Sequence, residues 1–253
     1  VEGQPPYRSM LEMELCSVVG FEPLVEALTA LKAKAGPHET YLPYIIGDGG
    51  DHTLYLTRRP GMVSLLKPDM ARLGFFDSMP DSAAIEATLP TATVRLDDLA
   101  EVAHCDLLKM DIQGAELSAI ENATRHLANA VMVMTEMSFV TLYENQPVMG
   151  TVDLALRAHG FVPHCFAGAT CWPLLTEIRV PKVDPHQVLE ADLVYVRDFT
   201  KPMADEQWKQ LAMLAHHVCA SYDLAMMAVE MLSKSGAVPA DAPVSYAKTL
   251  ERR

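Results

Sequence analysis

Hydrophobic positions along this chain change period several times, and the changes mark its elements. Period two or an unbroken apolar run, the mark of a strand, occurs at Ser17 to Phe21, Tyr41 to Ile46, Thr53 to Thr57 and Ala87 to Leu96. It returns at Asp106 to Ile112, Ala130 to Met134, Phe161 to Phe166 and Ala191 to Val196. Spacings of three and four, which give a helix one buried face, follow the first run through Leu24, Ala27, Leu28, Leu31 and Ala35. They follow the Asp106 run through Ala115, Leu117, Ile120, Ala123 and Leu127, and fill Val152 to His159 before Gly160. Strands alternating with helices predict an α/β fold wound around a mostly parallel sheet. Between Lys67 and Asp81, Pro, Gly and Asp recur around Phe75 and Phe76, which predicts an irregular lid. Beyond Phe199 no strand pattern remains. Asp205 to Ser221 and the methionine-rich Leu224 to Lys234 read as two helices, the second stopped by Gly236. The chain therefore divides into an α/β domain over 1–200 and a helical appendage over 201–253, which is expected to be dispensable for ligand binding but not for assembly or solubility. Its methionine stripe predicts irregular packing or, alternatively, a homodimer surface.

The stretch Asp106 to Glu116 organises the rest. Side-chain alternation puts Leu107, Lys109 and Asp111 on one strand face and Leu108, Met110 and Ile112 on the other. A lysine within an apolar strand calls for a carboxylate partner, because an unpaired interior ammonium loses its hydration with nothing in return. Asp111 stands where the strand ends, the place where open α/β sheets collect ligands. Glu136 ends the next strand and is expected at the same edge, so that one carboxylate positions a hydroxyl and the other accepts its proton. Two competing accounts need no catalysis: an ion pair of these acids with Lys109, and Asp111 as a plain helix cap.

The run Leu108-Lys109-Met110-Asp111-Ile112-Gln113-Gly114-Ala115-Glu116 resembles the signature of the FkbM-type methyltransferases. Val18 to Pro23, Val94 to Leu99, and Thr135 to Phe139 with Leu142-Tyr143 and Gln146-Pro147 resemble further family stretches in the same order, covering residues 1 to about 165. The resemblance implies a Rossmann-like fold that uses S-adenosylmethionine, with methylation of a hydroxyl on a sugar or another small polar metabolite. Catalytic roles then fall to Asp111, Glu136 and Lys109. Gln113 stands where the family more commonly has Glu. Gly3-Gln4-Pro5-Pro6-Tyr7 is similar to a run that follows the cofactor loop in one subgroup, which gives Gly3 a cofactor contact. The strand and Asp-x-Gly-x-Asn loop expected before it are missing. Glu22, at the tip of the second strand of such a fold, is a ribose-binding carboxylate or a plain cap, and Pro23 opens the helix behind it. Asp48, in the Gly47-Asp48-Gly49-Gly50 turn, is either an adenine contact or a turn residue.

Composition narrows the partners. The 253 residues carry 20 basic and 33 acidic side chains, a net charge of -13, which disfavours nucleic acid or an anionic membrane as the main partner and suits a cationic ligand. No metal-ligand spacing occurs. Five scattered cysteines form no disulfide framework and point to a reducing cytoplasm. Arg58 and Arg59 are candidates for an anionic substrate group or simply solvated, and His164 is a candidate base or a core histidine. A nicotinamide dehydrogenase lacks its Gly-x-Gly-x-x-Gly run here. A binding module that kept the fold without chemistry is the other alternative.

Overall fold

A computed structural model describes residues 4–178 and 184–251, so Gly3 lies outside the described residues. The strands are β1 (Val18–Phe21), β2 (Glu39–Leu42), β3 (Asp51–Thr57), β4 (Ile85–Ala92), β5 (Leu107–Met110), β6 (Met132–Ser138), β7 (Phe161–Trp172) and β8 (Gln187–Arg197). The helices are α1 (Arg8–Glu12), α2 (Val25–Lys34), α3 (Met70–Leu73), α4 (Met79–Ser82), α5 (Glu116–Glu121), α6 (Thr124–Asn129), α7 (Met149–Ala158), α8 (Asp205–His217), α9 (Tyr222–Ser235) and α10 (Ala242–Leu250).

The main sheet runs β5-β6-β8-β7. β5 and β6 are parallel, and β8 is antiparallel to both of its neighbours. β1 and β2 form a separate parallel pair, and β3 and β4 an antiparallel arm. The fold is thus mixed α/β, and the expected mostly parallel sheet is corrected. The reason is the long return of β7 into β8, strands of 12 and 11 residues that pair antiparallel along their length.

Alternation in β6 and β8 makes two cores. Val133, Met137, Leu193 and Tyr195 face α5, α6 and α7 through Ile120, Leu127 and Leu156. Met132, Met134, Val194 and Val196 face α8 and α9 through Trp208, Leu211, Leu214, Leu224 and Leu232. The C-terminal helices therefore seal a face of the sheet rather than hang outside the core, and α10 joins them through Tyr246. Of the methionine stripe, Met227 packs against this core, whereas Met231 is exposed.

Two further expectations change. The predicted helix over residues 115–127 breaks at Asn122-Ala123. Asp97 caps the new start from outside, its Oδ2 accepting the Arg125 amide at 2.8 Å and its Oδ1 the His126 amide at 3.1 Å. The stretch expected to be an irregular lid contains α3 and α4 and packs into a core of Met62, Leu73, Phe76, Met79, Leu142, Tyr143 and Leu189, while Phe75 stays exposed.

β1 pairs only with β2 and β5 only with β6 among the described strands. Both line a cleft of about 1490 Å³. No described helix is long and apolar enough to cross a membrane.

Candidate active site

The strand face that carries Met132, Met134, Val194 and Val196 turns acidic at one end. Register sets Met110 beside Thr135, so Asp111 follows β5 level with Glu136. Glu136 faces Asp192, and Ser138 faces Glu190, across the antiparallel β6–β8 ladder. Glu136, Glu190 and Asp192 thus share one sheet face, with Asp111 beside them. The Glu190-Ala191-Asp192 alternation inside an apolar strand was a readable signal of two more acids at this edge. Asp111 and Asp192 line the cleft, and Asp111 is exposed to it.

Burial, followed by the charges of Glu190, Asp111, Glu116 and Asp192, pushes Glu136 up to about 9. Burial, then Asp111 and Asp192, also raises Glu190, while the Arg59 guanidinium opposes the rise. Glu136 accordingly favours its neutral form, which suits it to position a hydroxyl rather than to take its proton, the two roles expected of the pair. The expected pairing of Lys109 is corrected. Among the described residues it makes no ion pair within 4.0 Å, and it lies half-buried along the cleft wall. What joins the acids is Gln113, noted in the sequence for its departure from Glu but given no role there. Gln113 Nε2 lies 3.0 Å from Asp111 Oδ1 and 3.0 Å from Glu136 Oε2.

The loop from Asp111 to Glu116 is fixed on all sides. Gln113 takes a left-handed conformation with φ 52°, followed by Gly114 at φ 98°. A Cβ on Gly114 would come within 3.0 Å of Leu66 Cδ1, so glycine lets the loop lie against that side chain. Ser64 Oγ donates to the Gln113 carbonyl at 2.6 Å, and the buried Glu116 accepts the Ile112 amide at 3.0 Å. Tyr143, 2 % exposed, holds its hydroxyl 2.9 Å from Gln113 Oε1 and 3.2 Å from the Met62 carbonyl. Gln146 secures the Tyr143 segment, accepting the Leu142 and Tyr143 amides and donating to Ser138 Oγ at 2.6 Å.

The remaining candidates fall into place around this loop. Glu22 ends β1 and lines the same cleft as Asp111; its Oε1 accepts the Leu24 amide at 2.9 Å, just before α2. Pro23 lines the cleft beside it. Asp48 is absent from the cleft lining. Its Oδ1 accepts from the Gly50 amide and meets His52 Nε2, each at 2.8 Å, and from Thr93 Oγ1 at 3.1 Å. The His52 hydrogen bond, then that of Gly50, holds it down to about 2. Asp48 organises its turn, and the adenine contact is not supported. Arg58 pairs with Asp81 and Glu86, and Arg59 stacks on Trp172 at 5.9 Å. His164 Nε2 contacts Ser221 Oγ at 2.9 Å, where β7 meets the segment between α8 and α9, away from the acids. No group of His, Cys, Asp and Glu among the described residues is placed to hold a metal ion.

Carboxyls at the ends of adjacent parallel strands thus stand beside an open cleft in an α/β fold, at the edge where such sheets collect ligands. The family description that matches is the methyltransferase FkbM domain, over residues 5–163, from the approach to α1 into the start of β7. The chain belongs to that family, and the domain it carries is a methyltransferase domain. No curated protein matches the chain.

Proposed function

We propose that the protein, with a Rossmann-like arrangement of its strands, moves a methyl group from S-adenosylmethionine to a hydroxyl oxygen of a sugar or a similar small polar acceptor. The observation that carries this reading is the placement of Glu22 and Asp111 on one cleft, at the ends of β1 and β5. The residues present fit such a cofactor. Glu22 uses Oε1 on the Leu24 amide, and its Oε2 makes no hydrogen bond to a described residue, which leaves an acceptor for a ribose hydroxyl. When bound, the sulfonium cofactor supplies an already activated methyl, so the protein's part is alignment and proton removal.

Asp111, open to the cleft, accepts the proton of the acceptor hydroxyl. Glu136 stays neutral beside it and serves as its fixed partner. Asp192, also on the cleft, adds a hydrogen-bond acceptor for further hydroxyls, which favours a polyhydroxylated substrate.

Calorimetry with S-adenosylmethionine, together with release of S-adenosylhomocysteine over a panel of sugars, tests the reading. Glu22→Ala removes an ionic hydrogen-bond acceptor worth about 1.5 to 3 kcal/mol, so cofactor affinity is expected to fall at least about tenfold. Asp111→Asn is expected to keep melting temperature and cofactor affinity while turnover drops about 100-fold or more. Full turnover in Asp111→Asn would rule it out as the base. Cofactor binding with no turnover on any hydroxyl would favour a binding module instead.

A further inference from the structure

Among the described residues, Gln113 is the one side chain hydrogen-bonded to both Asp111 and Glu136, and its surroundings favour one orientation of its amide. Nε2 carries two N–H donors, and two carboxyl oxygens stand 3.0 Å away, Asp111 Oδ1 and Glu136 Oε2. Oε1 meets the Tyr143 hydroxyl at 2.9 Å. Turning the amide over would set Oε1 against Asp111 Oδ1, acceptor against acceptor, and would lose the acceptor that Oε1 offers the Tyr143 hydroxyl. The backbone is held as well, by the Ser64 hydrogen bond to the Gln113 carbonyl.

We propose that Gln113 is a positioning residue of this site: its neutral amide ties Asp111 to Glu136 and presents Asp111 to the cleft. The proposal rests on the reading of Asp111 as the proton acceptor. The chemistry of position 113 explains why an amide serves here. An ionised carboxylate of the same length could donate to neither acid and would add a negative charge to a group that already holds Asp111, Glu136, Glu190 and Asp192. A protonated one could donate to only one of them. Asparagine, one methylene shorter, cannot hold both contacts from the same backbone.

An amide N–H that donates to a carboxyl favours its ionised form, so losing the tie must make Glu136, already raised by burial, harder still to ionise. The test follows the carboxyl carbon of Glu136 by ¹³C NMR through a pH titration, with Glu136→Gln assigning the signal. In Gln113→Met, its midpoint is expected to rise by about one pH unit, the worth of one hydrogen bond to a charged group. Gln113→Glu should raise it further. Gln113→Asn, the smallest change, serves where the others fail to fold and should move it in the same direction. With acceptor present, Gln113→Glu should lower kcat at least tenfold at unchanged cofactor affinity.

Unmoved midpoints in all the variants, or a moved midpoint with kcat within twofold of the parent, would overturn the proposal. The underlying reading fails separately, through full turnover in Asp111→Asn, and the titration then still reports whether the amide couples the two acids.

Discussion

Glu136 shows how one residue's surroundings become a property of the whole protein. Its carboxyl is pushed from an ordinary 4.5 up to about 9, first by burial and then by Glu190, Asp111, Glu116 and Asp192. The folded state therefore prefers the neutral form. Below about 4.5 the group is protonated whether the chain is folded or not, and its contribution to stability is fully present. As pH rises from there toward 9, the unfolded chain releases a proton that the folded chain keeps, and that contribution is lost. Glu136→Gln, an uncharged mimic of the acid, is expected to flatten this slope. Thermal melts from pH 5 to pH 9 check it: the parent's melting temperature should fall more steeply than the variant's, and equal slopes would contradict the assignment. The same residue marks a limit of sequence reading. Glu136 and Asp111 stood out because they follow apolar strands, and register then brings them level. That Glu136 would be neutral, and that Lys109 would not pair with it, depends on acids brought in by β8 and on burial, which no local pattern carries.

Elements were legible where a face is buried on one side and their ends carry glycine, proline or a charge. β1, α2, β3, β5, α7 and α9 lie within a few residues of their predicted bounds. The break between α5 and α6 was not legible, because the apolar spacing runs straight through it and the cap comes from Asp97, 28 positions before Arg125. The place of α8 and α9, though not their expected need for solubility, was misread for a related reason. Their apolar stripes show that something is covered, but the alternation of β6 and β8, divided between two cores, shows what. Trp208, Leu211, Leu214, Leu224 and Leu232 are each at most 5 % exposed against that face. Burying a side chain of this size contributes about 1.5 to 3 kcal/mol, and whole domains are stable by only about 5 to 15 kcal/mol. A chain ending at Thr200 is therefore expected to lose its cooperative melt and aggregate. If it instead melted at the parent's temperature, the sheet face would not depend on these helices.

At the scale of the molecule, the division of its strands has a consequence for how it opens. β1 and β2 are hydrogen-bonded to each other and to no other strand among those described, and neither contains a buried residue. Most residues of β6 and β8, by contrast, are buried. Among the described residues, Val19 and Phe21 of β1 pack side chains onto the larger core. Such a unit is expected to unfold locally while the main sheet stays intact. Amide hydrogen exchange should find β1 and β2 at least about tenfold less protected than β6, a gap of about 1.4 kcal/mol; equal protection would mean that the two units open as one. Because Glu22 sits at the end of the weaker unit and Asp111 at the end of the stronger, a ligand held by both must pay to quiet that local opening. Its affinity will then report the stiffness of a two-stranded pair as much as the contacts it makes.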